Sequence, residues 1–138
     1  MKFLKTTLLI TLISLFTFSC TKDESSDAGE NQAKIIGKWL LTGETENGIA
    51  LEIDECASIL TFTNTQLMST YYYGENCEES EVYNQEYTID ESTISVIEDG
   101  ETYSASIVRL TSATLIIKDS YEEEDGETYE YTETYTKQ

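Results

Sequence analysis

The 138-residue chain has no histidine, no proline, one tryptophan, and only 8 lysines and arginines against 27 aspartates and glutamates. Without histidine it lacks both the commonest general base and the commonest metal ligand. Any catalysis would have to run on carboxylates and tyrosines alone. The shortage of cations, with a formal charge of −19, argues against a nucleic-acid partner, because that binding rests on Lys and Arg neutralising phosphates. A bilayer-spanning run is missing too. The uncharged apolar stretch 8–18 falls short of the roughly 20 residues that a membrane-crossing helix needs. What the chain does have is ten tyrosines and a hydrophobic content of 39%. That is enough for the core of one domain, and the length suits one domain and not two.

Residues 1–19 read as a secretion signal, with Lys2 and Lys5 ahead of the apolar stretch and Ser19-Cys20 closing it. On the plainer reading the signal is cleaved after a small residue and Cys20 is incidental. On the other, Cys20 is a lipid acceptor: Ser19-Cys20 after an apolar run resembles the cleavage box of bacterial lipoproteins, although Thr17 and Phe18 depart from its usual Leu and small residue. That resemblance implies a membrane partner, reached through an N-terminal lipid anchor. Thr21 stands where an inner-membrane retention signal carries Asp, which points to the outer membrane. Lys22-Asp23-Glu24 is similar to the Lys-plus-acidic tag that sends some Gram-negative lipoproteins to the cell surface. Residues 20–33 are polar without apolar periodicity and are expected to be a flexible acidic tether. From Cys20 onward, 6 basic residues against 27 acids leave a net charge of −21. With Cys20 carrying lipid, Cys56 and Cys77 remain, and an even pair in an exported chain reads as a disulfide.

In the domain, residues 34–138, short apolar–polar alternations recur between turn signals at 38–42, 58–63, 66–73, 83–89, 93–97, 102–110, 114–118 and 128–136. No ten-residue stretch has convincing helical spacing, and 33–36 would form a single turn at most. One dry and one wet face per strand means an antiparallel sheet. The expected fold class is therefore all-β: a single eight-stranded antiparallel up-and-down barrel, with an antiparallel β-sandwich as the alternative. Residues 102–110 are ambiguous, since Tyr103, Ala105, Ile107 and Arg109 face one way and Val108 and Leu110 the other. Cys56 before the second strand and Cys77 after the third would clamp the open base of that hairpin. An immunoglobulin-type bridge instead joins mid-strand positions around a Trp that follows the first cysteine. This order favours the barrel.

Gly37-Lys38-Trp39, at the start of the first strand, resembles the Gly-x-Trp signature of the lipocalins. Ile35-Ile36-Gly37-Lys38-Trp39, and a Cys ahead of the Leu60-Thr61-Phe62 strand with a second Cys after the next strand, are most similar to small lipocalin-like domains of bacterial lipoproteins. The resemblance implies a barrel with Trp39 plugging its closed end, Gly37 allowing close packing there, and a small ligand in its open mouth. Lipocalins usually stack a last-strand Arg over that Trp. The only Arg here is Arg109, on the sixth strand, so the role is not carried over. The long first loop is reduced to 43–54, with Gly48 as its hinge.

Acid-rich segments at 75–81 and 119–130 lack the spaced Asp-x-Asp-x-Asp-Gly order of a calcium loop and read as solvated turns. No metal site, cofactor or enzyme activity is expected, since no carboxylate pair is marked out for catalysis. Tyr71, Tyr73, Tyr83, Tyr87, Tyr103, Tyr129, Tyr131 and Tyr135 are the ligand-binding candidates, phenol rings on inner faces with hydroxyls for a partly polar guest. Tyrosine is also a strong strand former that can simply fill an interior. Two functions follow: a lipid-anchored binder of a small amphipathic or hydrophobic ligand, or a non-enzymatic acidic cell-surface module with a filled barrel that meets a protein partner. Acyl labelling tests the anchor: Cys20→Ser should abolish label incorporation, and a variant that retains the label refutes the assignment.

Overall fold

A computed structural model of the protein describes residues 26–123 and 126–138. Cys20 and the signal segment lie outside the described residues. Helix α1 (Ser26–Ile35) leads into strands β1 (Gly37–Glu46), β2 (Ile49–Ala50), β3 (Ile59–Phe62), β4 (Gln66–Tyr73), β5 (Glu79–Asp90), β6 (Thr93–Glu98), β7 (Glu101–Leu110), β8 (Thr114–Glu122) and β9 (Thr128–Lys137). Each strand from β3 to β9 pairs antiparallel with the one before it in the sheet, and β9 returns to β1, from Trp39 opposite Lys137 to Glu46 opposite Tyr131. That last pairing closes an eight-stranded barrel and removes the sandwich alternative. β2 is a two-residue addition that folds back on the end of β1 through Asn47-Gly48. Both turn residues have positive φ, 49° and 78°, so Gly48 serves a tight hairpin turn and not a hinge.

The apolar half of the interior lies at the end where β3–β4, β5–β6 and β7–β8 turn. Trp39, Leu41, Leu60, Phe62, Leu67, Tyr87, Ile94, Leu115 and Tyr135 are buried there, and Ile35 of α1 is fully buried against them. The helix is a stopper for this end, so residues 26–33 are helical where a flexible tether was expected; residues 20–25 lie outside the described residues. Its polar side chains supply what apolar periodicity did not reveal. Asn31 donates to the Glu91 carbonyl and Gln32 to the Asn64 carbonyl, each at a turn on the barrel's rim. Gln32 also donates to the Tyr87 hydroxyl at 2.7 Å, and that hydroxyl donates onward to the Thr63 carbonyl at 2.6 Å. The Tyr87 ring meets Phe62 edge-on, centroids 5.2 Å apart.

Trp39 is fully buried, and its indole N–H donates to the Ile35 carbonyl at 2.6 Å. Lys137, from the last strand, places its ammonium 4.9 Å from the Trp39 ring centroid and donates to the Lys34 carbonyl at 2.9 Å. A lysine therefore fills the place over the tryptophan that the sequence left without an arginine. It also explains the glycine of the Gly-x-Trp motif. Gly37 sits at φ +132°, and a Cβ there would lie 2.8 Å from the Lys137 Cε, so a side chain would be strained twice over.

The ambiguous sixth strand resolves through a bulge. Between Ile107, opposite Ile117, and Arg109, opposite Ile116, the register of β7 shifts. Val108 is squeezed outward, and Ile107 and Leu110 both pack on the core. Several strands run further than apolar alternation predicts: β1 to Glu46, β5 from Glu79 and β8 to Glu122. These extensions lie at the opposite, open end, where both faces of the sheet are polar. There Cys56 and Cys77 are disulfide-bonded, Cα atoms 5.3 Å apart, tying the segment before β3 to the β4–β5 turn.

Lys137→Met should destabilise the barrel by about 1–2 kcal/mol, through loss of the cation–π contact and one hydrogen bond. Lys137→Arg should retain most of that stability. Urea denaturation of the two variants checks it, and an equal loss in both would refute a role for the cation.

Candidate functional site

Alternation carries the inner faces upward from the apolar floor into a different chemistry. On β4, Leu67 and Ser69 are buried, and the same face continues to Tyr71 and Tyr73. Their β5 partners in register are Gln85, Tyr83, Glu81 and Glu79. On β9, Tyr135 belongs to the core, and the same face then presents Glu133, Tyr131 and Tyr129. Opposite them on β8 stand Leu115, Ile117, Asp119 and Tyr121. The upper half of the barrel is thus walled by tyrosines and carboxylates.

Two openings flank Tyr71. One, of about 530 Å³, is lined by Ser69, Tyr71, Tyr83, Tyr103, Val96 and Glu98, with Glu81 and Gln85 at its side. The other, about 360 Å³, lies between Leu41, Glu44, Ile53, Ser58 and the Tyr71 and Tyr73 rings, beside Cys56. Both volumes fall within the range of small-molecule sites. Tyr71 and Tyr83 meet edge-on with centroids 5.9 Å apart, and both rings remain partly open to solvent.

The charges here are crowded. Burial raises the Glu133 carboxyl above the ordinary carboxylate range; a hydrogen bond with Tyr135 opposes this, and the charges of Glu44 and Asp119 reinforce it. Glu133 faces Glu44 directly across the β1–β9 ladder. Burial also raises the Tyr71 phenol, with the Glu133 charge second. Tyr135 is pushed far up by burial and by Glu133, so it stays protonated as a donor.

The structure divides the eight candidate tyrosines. Tyr71, Tyr83 and Tyr103 converge on the larger opening, and Tyr73 lines the smaller one. Tyr131 stands on the mouth wall beside Glu44, and Tyr129 stacks on Tyr121 at 5.5 Å nearer the rim. Tyr87 and Tyr135 do not reach the mouth. Both are core residues, packed among the apolar side chains of the floor. Sequence reasoning missed Tyr121, because the seventh strand was expected to stop at residue 118. It also passed over Glu44, Asp119 and Glu133. For Glu133 the signal was present: it falls on the same strand face as Tyr131 and Tyr135.

The sequence profile of the lipocalin-like domain matches residues 35–117. The chain belongs to the lipocalin-like domain family. The match begins at the buried Ile35 and contains Gly37 and Trp39; β9, with Lys137 and Glu133, lies beyond it and completes the lipocalin-like barrel by pairing with β1. No curated protein matches in sequence. Among solved structures, the fold is similar to a lipocalin-like protein from Bacteroides uniformis, with a TM-score of 0.58 at 13% identity, covering 76% of this chain and 99% of that one. An uncharacterised protein from Bacteroides eggerthii gives 0.55 at 12% identity, covering 75% and 99%. Lobster apocrustacyanin A1 gives 0.52 at 12% identity, covering 84% and 69%. At these identities the likeness is one of fold.

A carboxylate whose pKa is raised by folding costs stability at pH above its folded value, and costs nothing below the ordinary carboxylate value of about 4.3. Glu133→Gln should therefore melt higher than the parent at neutral pH. The difference should close as pH falls to about 4, read by thermal melts of the two proteins in parallel. A gap that persists at low pH would assign the effect to something other than the charge.

Proposed function

We propose that this lipocalin-like domain is a lipid-anchored binding protein that holds a small amphipathic or hydrophobic ligand in its tyrosine-lined mouth. The observation that carries this reading is the change in packing along the barrel axis. The lower half is filled by buried side chains, whereas the upper half opens around Tyr71 into spaces of about 530 and 360 Å³. Apolar ring faces with hydroxyls at their edges suit a guest that is apolar in part and polar in part. Membership of the lipocalin-like family supports a binder over a catalyst. The filled lower half favours the second reading, an acidic interaction module, but it leaves the openings above it without a purpose.

Anchorage through Cys20 would place the protein at the outer membrane, and the Lys22-Asp23-Glu24 tag would place it on the cell surface. Cys20 precedes Ser26 by six residues, a reach of at most about 20 Å. Because α1 stoppers the closed end, a lipid on Cys20 turns that end to the bilayer and the mouth away from it. Two or more acyl chains hold a protein stably, where one does so only marginally.

Thermal-shift screening of the purified protein against amphipaths of varied chain length should find compounds that raise its melting temperature. A guest at a hundred times its dissociation constant stabilises by about 2.7 kcal/mol. Tyr71→Ala should weaken any such hit about tenfold or more, since Tyr71 borders both openings. A broad screen with no stabilisation at all would refute the ligand-binding reading. Binding to a basic partner protein that weakens steeply with salt would then favour the interaction module.

A further inference from the structure

Resting on the ligand-binding reading above, we propose that the mouth selects cationic amphipaths: small molecules with a protonated or quaternary ammonium head and an apolar tail. The cavity and its aromatic walls supply the site, and the sign of the surrounding charge supplies the selectivity.

The aromatic part is the cluster of Tyr71, Tyr83 and Tyr103 around the larger opening. Ring faces attract ammonium groups through their quadrupole, and they accept alkyl tails equally well. The charged part is Glu44, at the smaller opening beside Tyr71, with Glu133 opposite it in the β1–β9 register and Asp119 on β8 next to them. Glu81 and Glu98 line the larger opening. Like charges placed directly across a ladder are destabilising, so the empty mouth carries a repulsion that a bound cation would relieve.

No compensating cation among the described residues stands in the mouth. Among the described residues the basic side chains are Lys34, Lys38, Arg109, Lys118 and Lys137. Lys34 pairs with Glu30 on α1, and Lys118 pairs with Glu130 on the outer face. Lys137 is held at the floor over Trp39, while Lys38 and Arg109 are exposed on outer faces towards the closed end. A carboxylate-headed guest such as a fatty acid would meet unopposed negative charge in the mouth.

A metal ion is a poorer fit than an organic cation. Among the described residues no three acidic side chains lie close enough together to ligate one ion. Glu44 and Glu133 face each other on one side of Tyr71, and Glu81 and Glu98 line the opening on its other side, a distribution that suits a larger and more diffuse charge against an aromatic face. Organic ammonium groups have that size and that preference.

The test compares three probes of equal chain length on the purified protein by calorimetric titration: octyltrimethylammonium and octanoate below their micelle concentrations, and octanol below its solubility limit. Octyltrimethylammonium should bind at least tenfold tighter than octanol, and octanoate weaker than both. Glu133→Gln and Glu44→Gln should each cut the trimethylammonium affinity severalfold and leave octanol binding unchanged. Asp90→Asn, which removes an exposed charge at the closed end, should leave all three unchanged. Equal binding of octyltrimethylammonium and octanol would overturn the cation selectivity while sparing the ligand-binding reading. An Asp90→Asn loss as large as that of Glu133→Gln would overturn it as well, by assigning the attraction to the overall field. Failure of all three probes, alongside a blank amphipath screen, would overturn both proposals.

Discussion

The barrel depends on one contact between its first and last strands. Trp39 is sealed from water on every side: α1 accepts its indole N–H through the Ile35 carbonyl, and Lys137 covers its ring. A tryptophan buries more apolar area than any other side chain and carries a polar N–H that must be satisfied when buried. Both demands are met by elements from opposite ends of the chain. Gly37 is held to a residue without Cβ by the same arrangement, because the lysine stem passes where a side chain would stand. The short Gly-x-Trp motif is thus the visible part of a three-element junction.

Above that junction the interior changes from apolar to polar within two or three residues along each strand. β9 shows the transition in its alternate positions: Lys137 and Tyr135 belong to the floor, Glu133 is at the boundary, and Tyr131 and Tyr129 are at the mouth. Hydrophobic burial accounts for the lower half, as for any small domain. The upper half does not stabilise the fold by the same means. It holds carboxylates against one another in partly desolvated surroundings, an arrangement that lowers stability and that the proposed cationic guest would relieve. The disulfide Cys56–Cys77 and the Asn47-Gly48 and Asp99-Gly100 turns, all with positive φ at their turn residues, hold this weaker half in shape.

How much of this was legible in the sequence depends on where apolar alternation reaches. Leu60 and Phe62, Ile94 and Val96, and Leu115 and Ile117 alternate cleanly, and the strands they mark were found. The open-end extensions, Glu79-Ser80-Glu81-Val82 and Asp119-Ser120-Tyr121-Glu122, mix acids with Ser, Val or Tyr, and nothing in that pattern separates a solvated strand from an acidic turn. The bulge at Val108 hid the inward face of β7, since a one-residue insertion inverts the alternation midway. The helix was missed for a different reason. It is fixed to the barrel by Asn31, Gln32 and one buried isoleucine, and so carries no apolar stripe. At the site, the tyrosine list joined two environments, because tyrosine serves both floor and mouth, and only the height of each residue on its strand tells Tyr87 and Tyr135 from the rest. Lys137 takes the place over Trp39 that lipocalins usually give to an arginine, and a lone lysine late on a strand carries no signature in the sequence.

The β1–β9 pairing has a further consequence for how the molecule comes into being. The strands that close the barrel are the first and last to be made, and their contact spans nearly the whole domain. Contacts of such long sequence separation form late, because the loop entropy must be overcome before the contact contributes anything. Until β9 is available, the partly assembled sheet keeps two unpaired edges, one of them on β1, which tends to invite pairing with other chains. A strongly negative chain repels its own copies during that interval, so the acidity that sets the character of the mouth also guards the open sheet before it closes.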